Sequence, residues 1–179
     1  MAVARRGLLG LGSNVGDRRA NLQGAIDALS RAGVEVLACS SVYDTDPVGE
    51  ILHQPSFLNA CLLIESALEP LPLLDLVKRL ESELGRTAGG PRHGPRPIDI
   101  DILMLGDLRV GDERMTLPHE QVLTRRFVLI PALELDFDLR TPDGERLSDA
   151  LARLPVDEGV RWAGPPLSVP AASIAIEAE

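Results

Sequence analysis

Residues 73–105 read LLDLVKRLESELGRTAGGPRHGPRPIDIDILML, and this stretch carries most of the fold prediction. From Leu73 to Leu84 the apolar residues recur at the three- and four-residue spacing of an amphipathic helix, and Gly85 provides its end. A loop rich in glycine and proline follows over 86–97. Apolar and acidic residues then alternate from Ile98, which predicts a strand that ends at Leu105.

The residues before this stretch complete a β-α-β-β-α-β order. Apolar runs predict strands over 8–11, 34–43 and 57–66, and helical spacing predicts a helix over 17–32. That order favours an α+β fold, a ferredoxin-like sandwich with an antiparallel sheet and helices packed on it. After the last strand we expect C-terminal additions: a hairpin within 106–117 and short helices within 125–135 and 147–154.

Length and composition indicate one soluble domain. The chain has 179 residues, a net charge of −9 and two cysteines in apolar runs, which suits reduced thiols and a cytoplasmic location without a signal peptide. We expect the domain over 1–160 and a loose tail over 161–179, which is rich in proline. The acidic balance argues against nucleic acid and membrane as partners, and we expect a monomer that binds small molecules.

Asp99 and Asp101 are the strongest candidates for chemistry. Strand alternation places both carboxylates on one face and the neighbouring isoleucines on the other. Two adjacent carboxylates suit Mg²⁺, which typically takes one or two carboxylates and completes its octahedron with waters and substrate phosphates. The alternative from these residues alone is an exposed polar strand face.

The loop before the strand favours the magnesium interpretation. Residues 85–98 contain Arg86, Arg92, His93 and Arg96 and no acid. Arginines beside metal-binding acids are what phosphoryl transfer requires, because they absorb charge on the transferring group. The glycine-rich segment Gly10–Gly16 fits neither dinucleotide nor Walker spacing, and we interpret it as a tight strand-to-helix turn.

Two further groups of residues could bind a ligand. Phe57 and Asn59 share one strand face, where a ring and an amide could hold a flat heterocycle, although core packing is the commoner reason for such a pair. A polar cluster suited to a nucleotide follows later in the chain. Its members are Arg114, Thr116, His119 and Arg125.

These stretches together resemble the 6-hydroxymethyl-7,8-dihydropterin pyrophosphokinase family of folate biosynthesis, over about residues 8–154. The segments that carry the resemblance are Leu11–Asn14, Ser41–Tyr43 with Thr45 and Pro47–Gly49, Gln54–Asn59, Glu81, Gly85–Arg86, Gly94–Asp101, and Pro118–His119 with Arg125 and Phe127.

The resemblance implies a kinase that transfers pyrophosphate from ATP to the hydroxymethyl pterin, with release of AMP. Asp99 and Asp101 would ligate two magnesium ions, and Arg86 and Arg96 would neutralise charge during the transfer. The implied pterin-binding residues are Thr45, Pro47, Val48, Phe57, Asn59 and Phe127. The implied ATP-binding residues are Glu81, Ile102, Arg114, Thr116, His119 and Arg125.

Three positions depart from the family pattern. His93 stands where some members have a tryptophan that packs over the closed site, Asp46 stands where an apolar residue or proline is common, and His53 replaces a frequent acid. We expect these changes to alter the loops around 44–56 and 86–97 more than the chemistry.

Two rival functions use the same fold. An RNA-binding domain would need a basic sheet with exposed aromatic side chains, whereas this chain is acidic and has five aromatic residues. A regulatory domain without catalysis would have no reason to keep paired aspartates beside an arginine-rich loop. Formation of AMP from ATP, magnesium and the hydroxymethyl pterin separates the three.

Overall fold

The computed structural model describes residues 2–48, 51, 53–91, 93–156 and 159–171. Its strands are Arg5–Ser13 (β1), Glu35–Cys39 (β2), Val42–Thr45 (β3), Phe57–Ser66 (β4), Asp99–Leu105 (β5), Val110–Gly111 (β6), Thr116–Leu117 (β7) and Val160–Gly164 (β8). Its helices are Arg18–Arg31 (α1), Pro70–Glu83 (α2), Arg126–Leu135 (α3) and Leu147–Arg153 (α4). Within these described ranges, no helix has the length and apolar character needed to cross a membrane.

The main sheet is antiparallel and has the strand order β5-β1-β4-β3-β8, with β2 also paired to β4. The central strand β1 is hydrogen-bonded to β4 on one side and to β5 on the other. This pairing confirms the predicted ferredoxin-like sandwich. The hairpin predicted within 106–117 is β6 and β7, and the two helices predicted after it are α3 and α4.

The single strand predicted over 34–43 is in fact two strands, β2 and β3, and both pair with β4. Ser40 lies at the break. Its backbone N–H donates to the Cys61 carbonyl at 3.0 Å, and its hydroxyl accepts a hydrogen bond from the Cys61 N–H at 2.9 Å. A side-chain oxygen thus replaces a backbone carbonyl in the ladder, which interrupts the strand without breaking its contact with β4.

Helices α1 and α2 pack on one face of the sheet and enclose the larger apolar core. The Asp17 carboxylate caps α1 by accepting a hydrogen bond from an N–H of its first turn at 3.0 Å. Pro70 begins α2, and Gly85, with a φ of 100°, follows its end. Because side chains alternate along β1, Leu9 and Leu11 point into this core.

Helices α3 and α4 cover only one end of the opposite face. They enclose a second apolar cluster that includes Leu8, Cys61 and Leu103. Glu134 of α3 fastens the helix to the sheet, since its carboxylate accepts hydrogen bonds from the Ser41 N–H at 3.0 Å and from the Tyr43 hydroxyl. The rest of this sheet face stays open, and the polar residues of β4 and β5 lie there.

The prediction of a loose tail over 161–179 is wrong for the residues that the structure describes. Strand β8 pairs with β3 at the edge of the main sheet, and Leu167 beyond it is buried in the larger core. The prolines that suggested a tail lie outside the strand itself, so they do not prevent pairing. Residues 172–179 lie outside the described part of the chain.

Candidate active site

Two glycines of β1 form a floor without side chains on the open face of the sheet. The register places Gly12 between Asp99 of β5 and Asn59 of β4, and it places Gly10 beside Asp101. A Cβ atom on Gly12 would lie 3.0 Å from the Asn59 Oδ1 atom, closer than ordinary van der Waals contact. The absence of side chains here leaves room for a ligand between the carboxylates of β5 and the amide of β4.

The predicted turn over Gly10–Gly16 is therefore wrong in its first half. Strand β1 continues to Ser13, and within this segment the only glycine with a positive φ, 73°, is Gly16. The sequence feature that indicates this floor is the two-residue spacing of Gly10 and Gly12, which places both on one face of a strand. The position of the segment just before a helix favours a turn, but β1 includes both of these glycines.

A cavity of about 380 Å³ opens above this floor. It brings together eleven of the sixteen residues that the sequence analysis assigned to the site. These are Thr45, Val48, Phe57, Asn59, Arg86, Arg96, Asp99, Asp101, His119, Arg125 and Phe127. Lys78, Asp46, His93, Glu120 and Gln121 also line it and were not assigned to the site from sequence.

The other five assigned residues do not line this cavity. The Ile102 side chain lies in the core against α1 and α2, so it is the backbone of β5 that remains available to a nucleotide there. Arg114 is exposed and paired with Asp75, and Thr116 is exposed on β7. The remaining two are Pro47, which is half-buried beside the cavity residue Val48, and Glu81, which is buried under it.

The two aspartates have different surroundings. Asp99 is paired with two guanidinium groups, Arg86 at 2.6 Å and Arg96 at 3.1 Å. In the described part of the chain, the Asp101 carboxylate has neither an ion pair nor a hydrogen bond. Burial, followed by the charge of Asp99, raises the pKa of Asp101 to about 7. A carboxylate that is costly to ionise alone is well suited to receiving a cation.

Arg96 is held in the cavity by several contacts. Its backbone N–H donates to the Asn14 Oδ1 atom at 2.8 Å, and one guanidinium nitrogen donates to the Gly94 carbonyl at 3.1 Å. Its guanidinium carbon lies 5.1 Å from the centre of the Phe57 ring, within cation–π range. Among the described residues the buried Nε atom has no hydrogen-bond partner.

Arg86 is positioned from below by Glu81. The buried Glu81 carboxylate accepts a hydrogen bond from the Ile100 N–H at 2.8 Å and pairs with Arg86 at 3.0 Å and with Lys78 at 3.3 Å. Burial raises the pKa of Glu81, although the hydrogen bond from Ile100 and the charge of Lys78 oppose that rise. Glu81 therefore joins helix α2 to strand β5 and orients Arg86 beside Asp99.

At the other side of the floor the cavity is aromatic and amide-lined. Phe57 and Asn59 of β4 lie on the cavity face with Thr45 of β3, and the Asn59 Nδ2 atom donates to the Thr45 hydroxyl at 2.5 Å. Phe127, near the start of α3, lines the same cavity. Two rings, an amide and a hydroxyl that line one cavity suit a flat, polar heterocycle.

His119 lines the cavity on the side of β5. Its Nδ1 atom accepts a hydrogen bond from the Gln121 N–H at 3.1 Å, which requires that nitrogen to be unprotonated. Burial lowers the pKa of His119, and the charges of Glu120 and Asp99 act in the opposite direction. The neutral ring can donate a hydrogen bond from Nε2 while Nδ1 remains an acceptor.

Two loops border the cavity and meet at Asn14. The Asn14 Nδ2 atom donates to the Gln54 Oε1 atom at 2.9 Å and to the Pro55 carbonyl at 3.0 Å. Gln54 in turn donates to the His93 carbonyl at 2.8 Å. This network ties the loop before β4 to the loop before β5. Residues 49 and 92, which entered the sequence analysis, lie outside the described residues.

Comparison with known proteins identifies one family. The family model described as 7,8-dihydro-6-hydroxymethylpterin-pyrophosphokinase (HPPK) matches residues 8–137. The chain is 45% identical over 150 residues to a 2-amino-4-hydroxy-6-hydroxymethyldihydropteridine pyrophosphokinase of Methylorubrum extorquens, covering 83% of this chain and 93% of the relative. It is 38% identical over 156 residues to a protein of the same name from Pseudomonas aeruginosa, covering 87% and 95%.

Other relatives are longer than this chain. It is 40% identical over 128 residues to a folate synthesis bifunctional protein of Arabidopsis thaliana, which covers 72% of this chain but only 26% of that protein. A crystal structure of Plasmodium falciparum HPPK-DHPS with pterin and p-hydroxybenzoate superposes with a TM-score of 0.66 over 84% of this chain and 42% of that one. At 13% identity the superposition shows the fold alone. The family match over residues 8–137 and the bacterial relatives show that the chain belongs to the 7,8-dihydro-6-hydroxymethylpterin-pyrophosphokinase family.

Proposed function

We propose that this chain is a kinase of folate biosynthesis that transfers pyrophosphate from ATP to 6-hydroxymethyl-7,8-dihydropterin. The hydroxymethyl oxygen attacks the β-phosphorus of ATP, and AMP leaves. The observation that carries the proposal is the side-chain-free floor of Gly10 and Gly12, which has an aspartate pair on one side and an aromatic, amide-lined pocket on the other. Such a floor can hold two substrates side by side, and positioning contributes a large share of phosphoryl-transfer catalysis.

The aromatic side of the cavity binds the pterin in this proposal. Phe57 and Phe127 stack on the two faces of the ring, and Asn59 and Thr45 hydrogen-bond to its edge. The segment Thr45–Val48 contributes through Pro47 and Val48 and through its backbone groups. The cation–π contact of Arg96 with Phe57 supports this layout, because it places a phosphate-binding cation next to the pterin pocket.

Asp99 and Asp101 hold magnesium in this proposal, with two ions bound together with ATP as co-substrate. The fit rests on Asp101, whose side chain lacks a protein partner among the described residues and whose pKa is raised to about 7. Within the described ranges no group of three or more potential metal-ligating side chains occurs, which suits Mg²⁺, since it takes one or two carboxylates and otherwise waters and phosphates. Bound magnesium supplies neutralisation of the phosphate charges.

The cations of the cavity stabilise the charge that develops on the transferred group. Arg86 and Arg96 already lie within 3.1 Å of Asp99, so their guanidinium groups face the place where the phosphates are expected. Preorganised cations of this kind need little reorganisation when charge develops. The two arginines are the catalytic residues in this proposal, together with Asp99 and Asp101.

His119, Arg125 and Lys78 are the cavity residues best placed for the rest of the nucleotide. Arg114, Thr116 and the backbone at Ile102 lie beyond the cavity on the side of β5, and Glu81 lies below it. These residues can therefore bind ATP only if the nucleotide extends past β5, the edge strand of the sheet. We propose a monomeric enzyme of the cytoplasm without nucleic-acid or membrane partners, which the two free, buried cysteines and the acidic charge support.

The test is formation of AMP and of the pterin diphosphate from ATP, magnesium and the hydroxymethyl pterin. Asp99→Asn and Asp101→Asn should each abolish most of the turnover, and these amide variants are preferable to alanine because Asp99 holds two arginines. Glu69→Gln, on an exposed acid outside the cavity, is the control. Release of AMP without pterin, or near-normal turnover in either aspartate variant, contradicts the proposal.

A further inference from the structure

We infer that Arg161 of strand β8 is a positioning residue for the pterin-binding segment Thr45–Val48. Strand β8 lies outside the part of the chain that the family model matches, residues 8–137. The inference rests on the proposed pterin site, since Thr45–Val48 matters to catalysis only if the pterin binds there. It assigns a role to C-terminal residues for which the sequence predicts a loose tail.

The backbone of β8 follows the segment along its outer edge. In the register, Thr45 lies opposite Val160 and Asp44 opposite Arg161. The ladder continues past the end of β3, because the Asp46 N–H donates to the Gly159 carbonyl at 3.0 Å. The first residue after β3 is thereby held in line with the strand, although the chain leaves the sheet there.

Arg161 then fixes the side chain of that residue. One of its guanidinium nitrogens lies 2.8 Å from the Asp46 carboxylate and 3.0 Å from the Asp44 carboxylate. Asp44 is bound from its other side by Arg18 of α1 at 3.3 Å. Burial works to raise the pKa of Asp44, but the hydrogen bonds from Arg161, Ser56 and Arg18 outweigh it and lower that pKa.

Gly159 permits a close approach at the same place. A Cβ atom on Gly159 would clash with the Asp46 carboxylate. No side chain larger than hydrogen fits there without displacing the Asp46 carboxylate. Gly159 thus leaves space for the Asp46 carboxylate beside Arg161, which attracts it.

The position of Asp46 matters because this residue also lines the cavity. A carboxylate free to turn inward would add negative charge to a space that already holds Asp99 and Asp101 and must accept phosphates. Arg161 neutralises that carboxylate and holds it at the outer edge of the sheet. Thr45, the residue before it, lines the cavity, and its hydroxyl accepts a hydrogen bond from the Asn59 Nδ2 atom.

The C-terminal segment is anchored well enough to serve as a support. Gln23 of α1 forms two hydrogen bonds with the backbone of Ser168, each at 2.9 Å. Arg19 donates to the Pro165 carbonyl at 3.0 Å, and Leu167 is buried in the core. Strand β8 is thus held by β3 on one side and by α1 at its far end.

A surface ion pair without function is the alternative, and exposure alone would favour it. The Arg161 side chain is 53% exposed and that of Asp46 is 61% exposed, so neither contributes much to folding. The two interpretations differ in what Arg161→Gln changes. A positioning role predicts weaker pterin binding at nearly constant stability, whereas a passive pair predicts no change in either.

The experiment measures pterin and ATP dissociation constants for Arg161→Gln, with Arg153→Gln as the matched control, because Arg153 also forms an exposed pair with an acid. We expect pterin affinity to fall by about fivefold in Arg161→Gln, the upper end for one exposed ion pair. ATP affinity should stay nearly constant, as should both affinities in Arg153→Gln. Adding Asp46→Asn to Arg161→Gln should restore pterin binding, since no carboxylate can then turn inward.

A second readout separates failure of this inference from failure of the proposed function. Amide hydrogen exchange at Asp46 should accelerate by about fivefold in Arg161→Gln, while exchange in the centre of β4 should not change. Wild-type protein that does not bind the pterin overturns the proposed site, and the exchange experiment still tests the tether. Unchanged exchange at Asp46, equal losses for pterin and ATP, or failure of Asp46→Asn to restore binding each overturns the inference.

Discussion

Glu81→Ala should destabilise the protein, and Glu81→Gln should not. The Glu81 side chain is 3% exposed, and its carboxylate is the acceptor for the N–H of the buried Ile100. Alanine leaves that N–H without a partner, which costs about 1–3 kcal/mol. For a domain of this size each kcal/mol lowers the melting temperature by about 2–4 °C, so a fall of roughly 2–12 °C is expected for the alanine variant.

Glutamine keeps the hydrogen bond and removes only the charge. Because burial raises the pKa of Glu81, the folded environment disfavours the charged form, and the neutral amide should fit at least as well. We therefore expect a melting temperature within about 2 °C of wild type, allowing for the lost pairs with Arg86 and Lys78. Turnover should fall in both variants, since Arg86 loses one of the two acidic partners that it has among the described residues.

Thermal denaturation and AMP formation, both measured at pH 7, distinguish these effects. Glu83→Ala is the control, because Glu83 lies on the same helix but is exposed and forms an exposed pair with Arg79. A glutamine variant as unstable as the alanine variant would refute the reasoning, since it would show that the charge, and not the hydrogen bond to β5, is what Glu81 contributes.

The other predictions concern the floor, the aromatic pocket, the arginine and the histidine. Gly12→Ala should weaken pterin binding, because the added Cβ displaces the Asn59 amide, whereas Gly24→Ala in α1 should be harmless; calorimetry tests both. Phe57→Ala should cost about 1–3 kcal/mol in pterin binding and little in ATP binding; equal losses in calorimetry count against stacking. Arg96→Ala should lower single-turnover rates by about 10³ at nearly constant ATP affinity; a large affinity loss with unchanged chemistry would make Arg96 a simple binding residue. Burial lowers the pKa of His119 below its ordinary value of 6.5, so the contribution of this residue to stability is complete above pH 6.5 and is lost as the pH falls below it. Between pH 5 and 8 the melting temperature should therefore depend less steeply on pH in His119→Asn than in wild type. Equal slopes would contradict a neutral ring.

The regular elements were predictable because each has a periodic pattern that burial imposes. The alternation of Ile and Asp after Pro97 placed Asp99 and Asp101 on the open face and Ile100 in the core, as the structure has them. The same alternation places the Ile102 side chain in the core. The assignment of Ile102 to the nucleotide rests on the family resemblance and not on the alternation. Because the alternation buries the Ile102 side chain, only its backbone is available for binding.

The C-terminal strand could not be predicted by the same reasoning. Strand β8 is short and lies at the edge of the sheet, and Trp162, at its centre, is exposed. An edge strand with few buried side chains has no strong alternation, so its sequence resembles that of a loop. What holds it in place is backbone pairing with β3 and hydrogen bonds to α1, and neither leaves a periodic pattern in the sequence.

The conformation of the two cavity loops could not be predicted from sequence patterns either. Arg96 and His93 are positioned through Asn14 and Gln54, polar side chains that hydrogen-bond to backbone groups far away in the sequence. Asn14 is 2% exposed, and a buried amide must find partners for its donors and its acceptor. Both loops hydrogen-bond to Asn14, so the position of Arg96 and the conformation of the loop before β4 depend on each other. Sequence spacing shows which residues could carry the chemistry, whereas these long-range hydrogen bonds determine whether they converge.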